Sequence, residues 1–151
     1  MAKRPTNELA AMAWLRTIPG INPQRVSTKL PGDNSLIAPS GFVTVLAIGG
    51  SPDIYVPRRA PIIEVRTWAC HPDGDRQDPP WAKANDLAEI IWERCLDHRS
   101  FGGVLFTKNG YDPVCVPSAY PLTEPTKVPD DAPRFACYTM DVQLHWTRRT
   151  S

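Results

Sequence analysis

The last stretch of the chain has the plainest rhythm. Ala136, Tyr138, Met140, Val142, Leu144 and Trp146 alternate with Thr139, Asp141, Gln143 and His145, and a period of two places the two sets on opposite faces of a β-strand. This predicts a strand over Phe135 to Trp146, longer than most and able to reach past its own domain toward a neighbour. Trp81, Ala84, Ala88, Ile91 and Cys95 follow a different rhythm, recurring at spacings of three and four. Leu87 and Trp92 flank them, and Lys83, Asp86, Glu89, Glu93 and Arg94 fill the remainder. That pattern predicts an amphipathic helix from Pro80 to about His98, opened by Asp78 and two prolines whose missing N–H groups cost nothing in a first turn.

The other elements are shorter. Asn7 to Thr17, capped by Thr6, reads as a helix with apolar residues on more than one face: Leu9, Met12 and Ala13, then Trp14, Leu15 and Ile18. Phe42 to Ile48 is apolar almost throughout, which predicts a central strand covered on both faces and closed by Gly49-Gly50. Ile62 to Cys70 alternates, with Glu64 and Arg66 on one side, and predicts a half-exposed antiparallel strand paired with the preceding one. Phe101 to Phe106 and Tyr111 to Val116 predict two short strands around the Lys108-Asn109-Gly110 turn, Pro113 holding the second at an edge. Ile21 to Ser40, Ser51 to Pro61, His71 to Pro80 and Pro117 to Pro133 read as loops, with an extended piece at Val26 to Leu30.

The predicted fold is therefore α+β: a mostly antiparallel or mixed sheet with two helices packed on one face and long proline-rich loops. The 151 residues are expected to form one domain over 1–151. Seventeen prolines account for the stiff connections. A net charge of +1 gives no general attraction to nucleic acid or membrane. Lys3 and Arg4 are followed by Pro5, Thr6, Asn7 and Glu8 in place of an apolar run, so neither a signal peptide nor a membrane anchor is expected.

Candidate chemistry is sparse. Cys70, Cys95, Cys115 and Cys137 lack paired spacing and read as reduced, buried small hydrophobes; a zinc site would need Cys70-His71 and Cys95/His98 to converge. Gly49-Gly50-Ser51 lacks the later Gly and Lys of a phosphate loop. The acidic pairs Asp73/Asp75 and Asp130/Asp131 lack calcium-loop spacing. His71, His98 and His145 stand in contexts that recruit no nucleophile. The expectation is no enzyme, no cofactor and no metal. Five tryptophans and long loops with charged tips instead suggest contacts with other proteins. The candidate interface residues are Asp53, Tyr55, Arg58, Arg59, Trp68, Asp73, Asp75, Trp92, Arg134, His145 and Arg148.

The helix Trp81-Ala82-Lys83-Ala84-Asn85-Asp86-Leu87-Ala88, the segment Tyr120-Pro121-Leu122-Thr123-Glu124-Pro125 and the closing Ala132-Pro133-Arg134-Phe135-Ala136-Cys137-Tyr138-Thr139-Met140-Asp141-Val142-Gln143-Leu144 resemble the tail terminator proteins of long-tailed bacteriophages. The order of elements resembles them too. The resemblance implies a structural virion protein of the tail–neck region, assembled in the host cytoplasm. Such a protein forms a homo-oligomeric ring, a hexamer, on the tail tube protein and ends tube polymerisation. It joins the tail to the head-side connector or stopper protein, and DNA passes through its lumen without sequence-specific binding. On this reading the Pro80–His98 helix and the sheet edges pack between copies, while Asp53–Ala60 and Asp73–Asp78 reach the axial partners. Ile21 to Ser40 has no counterpart in that pattern. The alternatives are another neck protein (head-completion, stopper or adaptor), a binding module of a toxin or secretion system, or a small hydrolase or other enzyme working through aspartates and a histidine.

Overall fold

The computed structural model of the chain describes residues 3–50, 57–72, 79–129 and 135–149. In chain order the elements are α1 (Asn7–Leu15), β1 (Val26–Ser27), α2 (Asn34–Ile37), β2 (Phe42–Gly50), β3 (Pro61–Ala69), α3 (Trp81–Leu96), β4 (Val104–Leu105), β5 (Val114–Pro121), β6 (Thr126–Lys127) and β7 (Ala136–Arg148). Two short 3-10 turns, Pro23–Arg25 and His98–Ser100, lie between them. The strands form one seven-stranded sheet in the order β1-β2-β3-β7-β5-β4, with β6 also on β7. Only β1 and β2 pair in parallel; the rest is antiparallel. The fold is α+β, as the pattern of apolar positions predicts.

Alternation decides which side chains meet. Val43, Val45, Ile63, Val65, Met140, Val142 and Leu144 share one face with Val114, Val116 and Ala119, and α1 and α3 close over that face in one apolar cluster. Helix α1 is buried continuously from Ala10 to Leu15, because it wedges between sheet and neighbours with no polar side. Thr6 caps it, its hydroxyl accepting from the Leu9 N–H at 3.1 Å. Helix α3 buries Ala84, Leu87, Ala88, Ile91 and Cys95. It comes close to the sheet at Ala69, Ala84 and Ala136, where small side chains leave room, and the buried Thr67 hydroxyl donates to the Ala84 carbonyl at 2.8 Å. Gly41, at φ +75°, turns the chain into β2 where any Cβ would strike Leu87.

Four expectations are corrected. Strand β2 lies next to the sheet edge and is covered on both faces only over Phe42–Val45; Leu46 onward runs out from under its cover, which an unbroken apolar run conceals. The segment from Pro117 is not all loop: β5 continues to Pro121 and β6 follows. Its prolines are tolerated because Pro117 stands where the register slips between Cys115 and Ser118, while Pro121 closes the strand. The tyrosine-to-valine strand starts only after Pro113, at Val114, and β5 is flanked by β7 and β4, so that proline does not mark an edge strand. Finally, the length of β7 is used inside the sheet. It pairs with β3 over residues 136–143, with β5 over 142–148 and with β6 at 138–139.

The Ile21–Ser40 region also holds more than a loop. Asp33 caps α2 by accepting from the Ser35 N–H at 2.9 Å, and those bonds hold its carboxyl below the usual carboxylate range. Ile37 and Ala38 then join Phe42, Cys70, Leu30, Trp68 and Phe135 in a second, smaller cluster. Phe42 and Trp68 are opposite each other in register and point away from the α1/α3 face. The two helices expected on one face are there; α2 covers one end of the other. Lys83 pins this cover to α3 by donating to the Ala38 and Pro39 carbonyls.

Candidate interaction face

Beyond Trp68 no described helix covers the face opposite α1 and α3, and its residues are half-buried to exposed. Register places Leu46 beside Glu64, Glu64 beside Asp141, Ile62 beside Gln143, Gln143 beside Tyr120 and His145 beside Ser118. Leu46 is 55% exposed on one flank, and Tyr120 and Leu122 are 50% and 47% exposed on the other. Between these apolar flanks runs a polar middle. Arg66 Nε donates to Glu64 Oε1 at 2.6 Å, two residues along the same strand. Leu122 N donates to the Asp141 carbonyl at 2.7 Å, and Thr123 Oγ1 accepts from Asp141 N at 2.9 Å, so the polypeptide past β5 still follows β7.

His145 is held on three sides. Ser118 Oγ lies 3.0 Å from its Nδ1, and the Tyr120 ring stands edge-on at 5.4 Å. Burial first, and the Arg58 guanidinium second, push the imidazole below its usual pKa. At the same end of the sheet β3 is prolonged by a bridge between Arg59 and Trp146, with N–H···O bonds of 2.8 and 2.9 Å. The Arg59 guanidinium carbon lies 5.9 Å from the centre of the Trp146 ring. Gly50, at φ +120°, passes so close to Ala60 and Pro61 that a Cβ would overlap their backbone. Asn7, Gly49, Gly50, Arg58, Arg59, Ala60 and Pro61 enclose a cleft of about 230 Å³ there.

The predicted site residues therefore separate. Arg58, Arg59 and His145 come together at one end of the sheet. Trp68 lies at the far end, half-buried, its indole N–H donating to Thr44 Oγ1 at 2.9 Å and its ring edge-on to Phe135. Trp92 packs against the helix-side core, which makes it a part of the fold. Arg148 pairs with Asp112 beside the start of β5. Asp53, Tyr55, Asp73, Asp75 and Arg134, with most of the two loops assigned to axial contacts, lie outside the described residues. Leu46, Ser118, Tyr120, Leu122 and Asn7 were not picked out from the sequence as site residues. Only Tyr120 and Leu122 carried a signal, as large apolar residues inside a proline-rich stretch.

The four cysteines are buried and outside any disulfide. Burial pushes the Cys95 and Cys137 thiols up to about 12, so both stay protonated and unreactive near neutrality. Cys70 belongs to the α2 cluster and Cys95 to the opposite core, so the sheet separates the two Cys/His pairs that a zinc site would have to combine. Among the described residues no three His, Cys, Asp or Glu side chains are grouped to hold a metal ion. No described helix is long and apolar enough to cross a membrane. No protein-family model matches the chain, and no curated protein matches it in sequence.

Proposed function

We propose that this chain is an assembly subunit of a phage tail neck, a tail terminator that forms a ring on the tail tube and joins it to the head-side connector. The observation that carries the reading is the open sheet face: Leu46 on one flank, Tyr120 and Leu122 on the other, and charged and amide groups between them. An apolar margin around a paired polar middle suits a protein partner, since desolvating Leu and Tyr drives association while the polar groups set register. A ring needs two different patches, one on each side of the subunit, and the candidates are the open face and the β4 edge, where Val104 and, just past the strand, Phe106 are exposed. Both arginines at the Arg58–Arg59 end are directed to the tube or connector.

The test is the solution mass by light scattering, alone and with assembled tail tubes. A hexamer, or a monomer that becomes a ring on tubes, supports the reading. A strict monomer that ignores tubes overturns it. Other neck proteins share the same requirement for a partner face, and binding to connector but not to tube would move the assignment to them. One contact favours a different class: Ser118 Oγ at 3.0 Å from His145 Nδ1 has nucleophile-to-base spacing. Hydrolysis of a simple activated ester, lost in Ser118→Ala, would select that hydrolase reading.

A further inference from the structure

We propose that the cleft at the Arg59 end of the sheet is a receptor for a carboxylate side chain of a second protein, presented on an acidic peptide segment. Three observations converge on an anionic group. Arg59 and Arg58 both line the cleft, and among the described residues no carboxylate meets the Arg59 guanidinium. Asn7 lines it as well, and its amide orientation is determined chemically. The Trp146 indole N–H is a donor only and lies 3.0 Å from Asn7 Oδ1, so what Asn7 has left to offer is its Nδ2 hydrogens. Those hydrogens meet no acceptor among the described residues. Among the described residues the side-chain polar groups that line the cleft are thus those of Asn7, Arg58 and Arg59, all hydrogen-bond donors there and two of them cations.

The site is also held ready before anything binds. Trp146 is 1% exposed and acts as its base: it bridges the Arg59 backbone in both directions, supports the guanidinium on its ring and orients Asn7. Side chains fixed in this way lose less freedom on binding, which favours affinity. The other described lining residues, Gly49, Gly50, Ala60 and Pro61, are small or apolar. A cleft of about 230 Å³ has room for one carboxylate and its stem, below the roughly 300–1,000 Å³ of small-molecule sites. Its described lining offers no exposed ring on which a base would stack, so a peptide acid fits it better than a nucleotide. The partner's place in the virion rests on the assembly reading above; the cleft itself does not.

The experiment uses the full chain, isotope-labelled, titrated at low salt with a capped hexaglutamate peptide. The readouts are the assigned Trp146 indole N–H, the Asn7 side-chain amide and the Gly50 amide. Saturable shifts at these three positions are expected, weakened about tenfold or more by Arg59→Ala, as loss of a charge-assisted hydrogen bond implies. Lys29→Ala, which removes the same charge from an exposed position elsewhere, should leave the affinity unchanged. The Arg59 bridge to Trp146 is made by backbone atoms, so the variant keeps it, and Arg58→Ala provides a second reading if Arg59→Ala is unstable. Absence of shifts, or equal weakening by Lys29→Ala, overturns the proposal. Tighter binding of inorganic phosphate overturns the peptide assignment in favour of a free oxyanion, and tighter binding of duplex DNA overturns it in favour of nucleic acid. None of these outcomes depends on a tube, so failure of the ring and failure of the cleft are separable.

Discussion

The two faces of the β2-β3-β7 sheet are built from the same strands by opposite rules. On the α1/α3 face every inward position of β3 from Ile63 to Ala69 is buried, and the side chains are aliphatic, small or, at Thr67, hydrogen-bonded to α3. On the other face the same strand presents Ile62, Glu64, Arg66 and Trp68, all only partly covered. That second face is itself divided: α2, Leu30 and Phe135 close the Trp68 end, while toward the other end Leu46, Tyr120 and Leu122 are exposed and His145 is half-buried. The difference separates what holds the chain folded from what is free to meet a partner. Substitution on one face should be read out in stability, and on the other in association.

The largest effect is expected in the helix-side core. Leu144 is fully buried between the sheet and its helices, and Leu144→Ala should cost about 2–5 kcal/mol in urea unfolding. A loss under 1 kcal/mol would mean that this face is not the one that holds the fold. The closed end of the second face should come next. Trp68→Phe removes the donor to Thr44 and reduces the contact with Phe135, at an expected cost of about 1–3 kcal/mol. If that variant is as stable as the parent, α2 is an appendage and the whole second face counts as open. Leu46→Asn, at the open end, should change stability by less than about 0.5 kcal/mol. It should nonetheless weaken ring formation in the light-scattering experiment. A large loss of stability with unchanged association would invert the comparison.

How much of this was legible in the sequence follows from the range of the interactions concerned. Strands β3 and β7 announced themselves because each has one buried face, and period two survives in the sequence wherever the two faces differ. Helix α3 did so for the same reason at period 3.6. Strand β2 misled because Leu46 and Ile48 are apolar yet exposed, so nothing in the run marks where its cover ends. The capping signal of α2, Asp33 followed by Ser35, was present but lay in a stretch dominated by prolines and glycine. In the candidate site, Arg58, Arg59 and His145 were found as charged or titratable residues in loops and on an exposed strand. Their neighbours were not. Ser118 meets His145 across 27 positions, and Asn7 meets Trp146 across 139, and no local pattern encodes a register between segments so far apart.

The smallest effect is expected from pH, and it tests whether the open face contributes to the fold at all. His145 has its pKa lowered in the folded chain, by burial and then by Arg58, from the ordinary imidazole value of 6.5. A base that is harder to protonate folded than unfolded gives no penalty above the unfolded value, where it is neutral in both states. As pH falls below 6.5 the unfolded chain takes up the proton first, so stability declines until the folded-state pKa is passed and then levels off. Urea midpoints should therefore drop slightly between pH 7.5 and pH 5, and His145→Gln should flatten that part of the profile. Arg58→Ala should reduce the drop without abolishing it, because burial is the larger of the two causes. If His145→Gln leaves the profile unchanged, the imidazole is not held between Ser118, Tyr120 and Arg58 in solution, and the polar middle of the face is looser than its contacts imply.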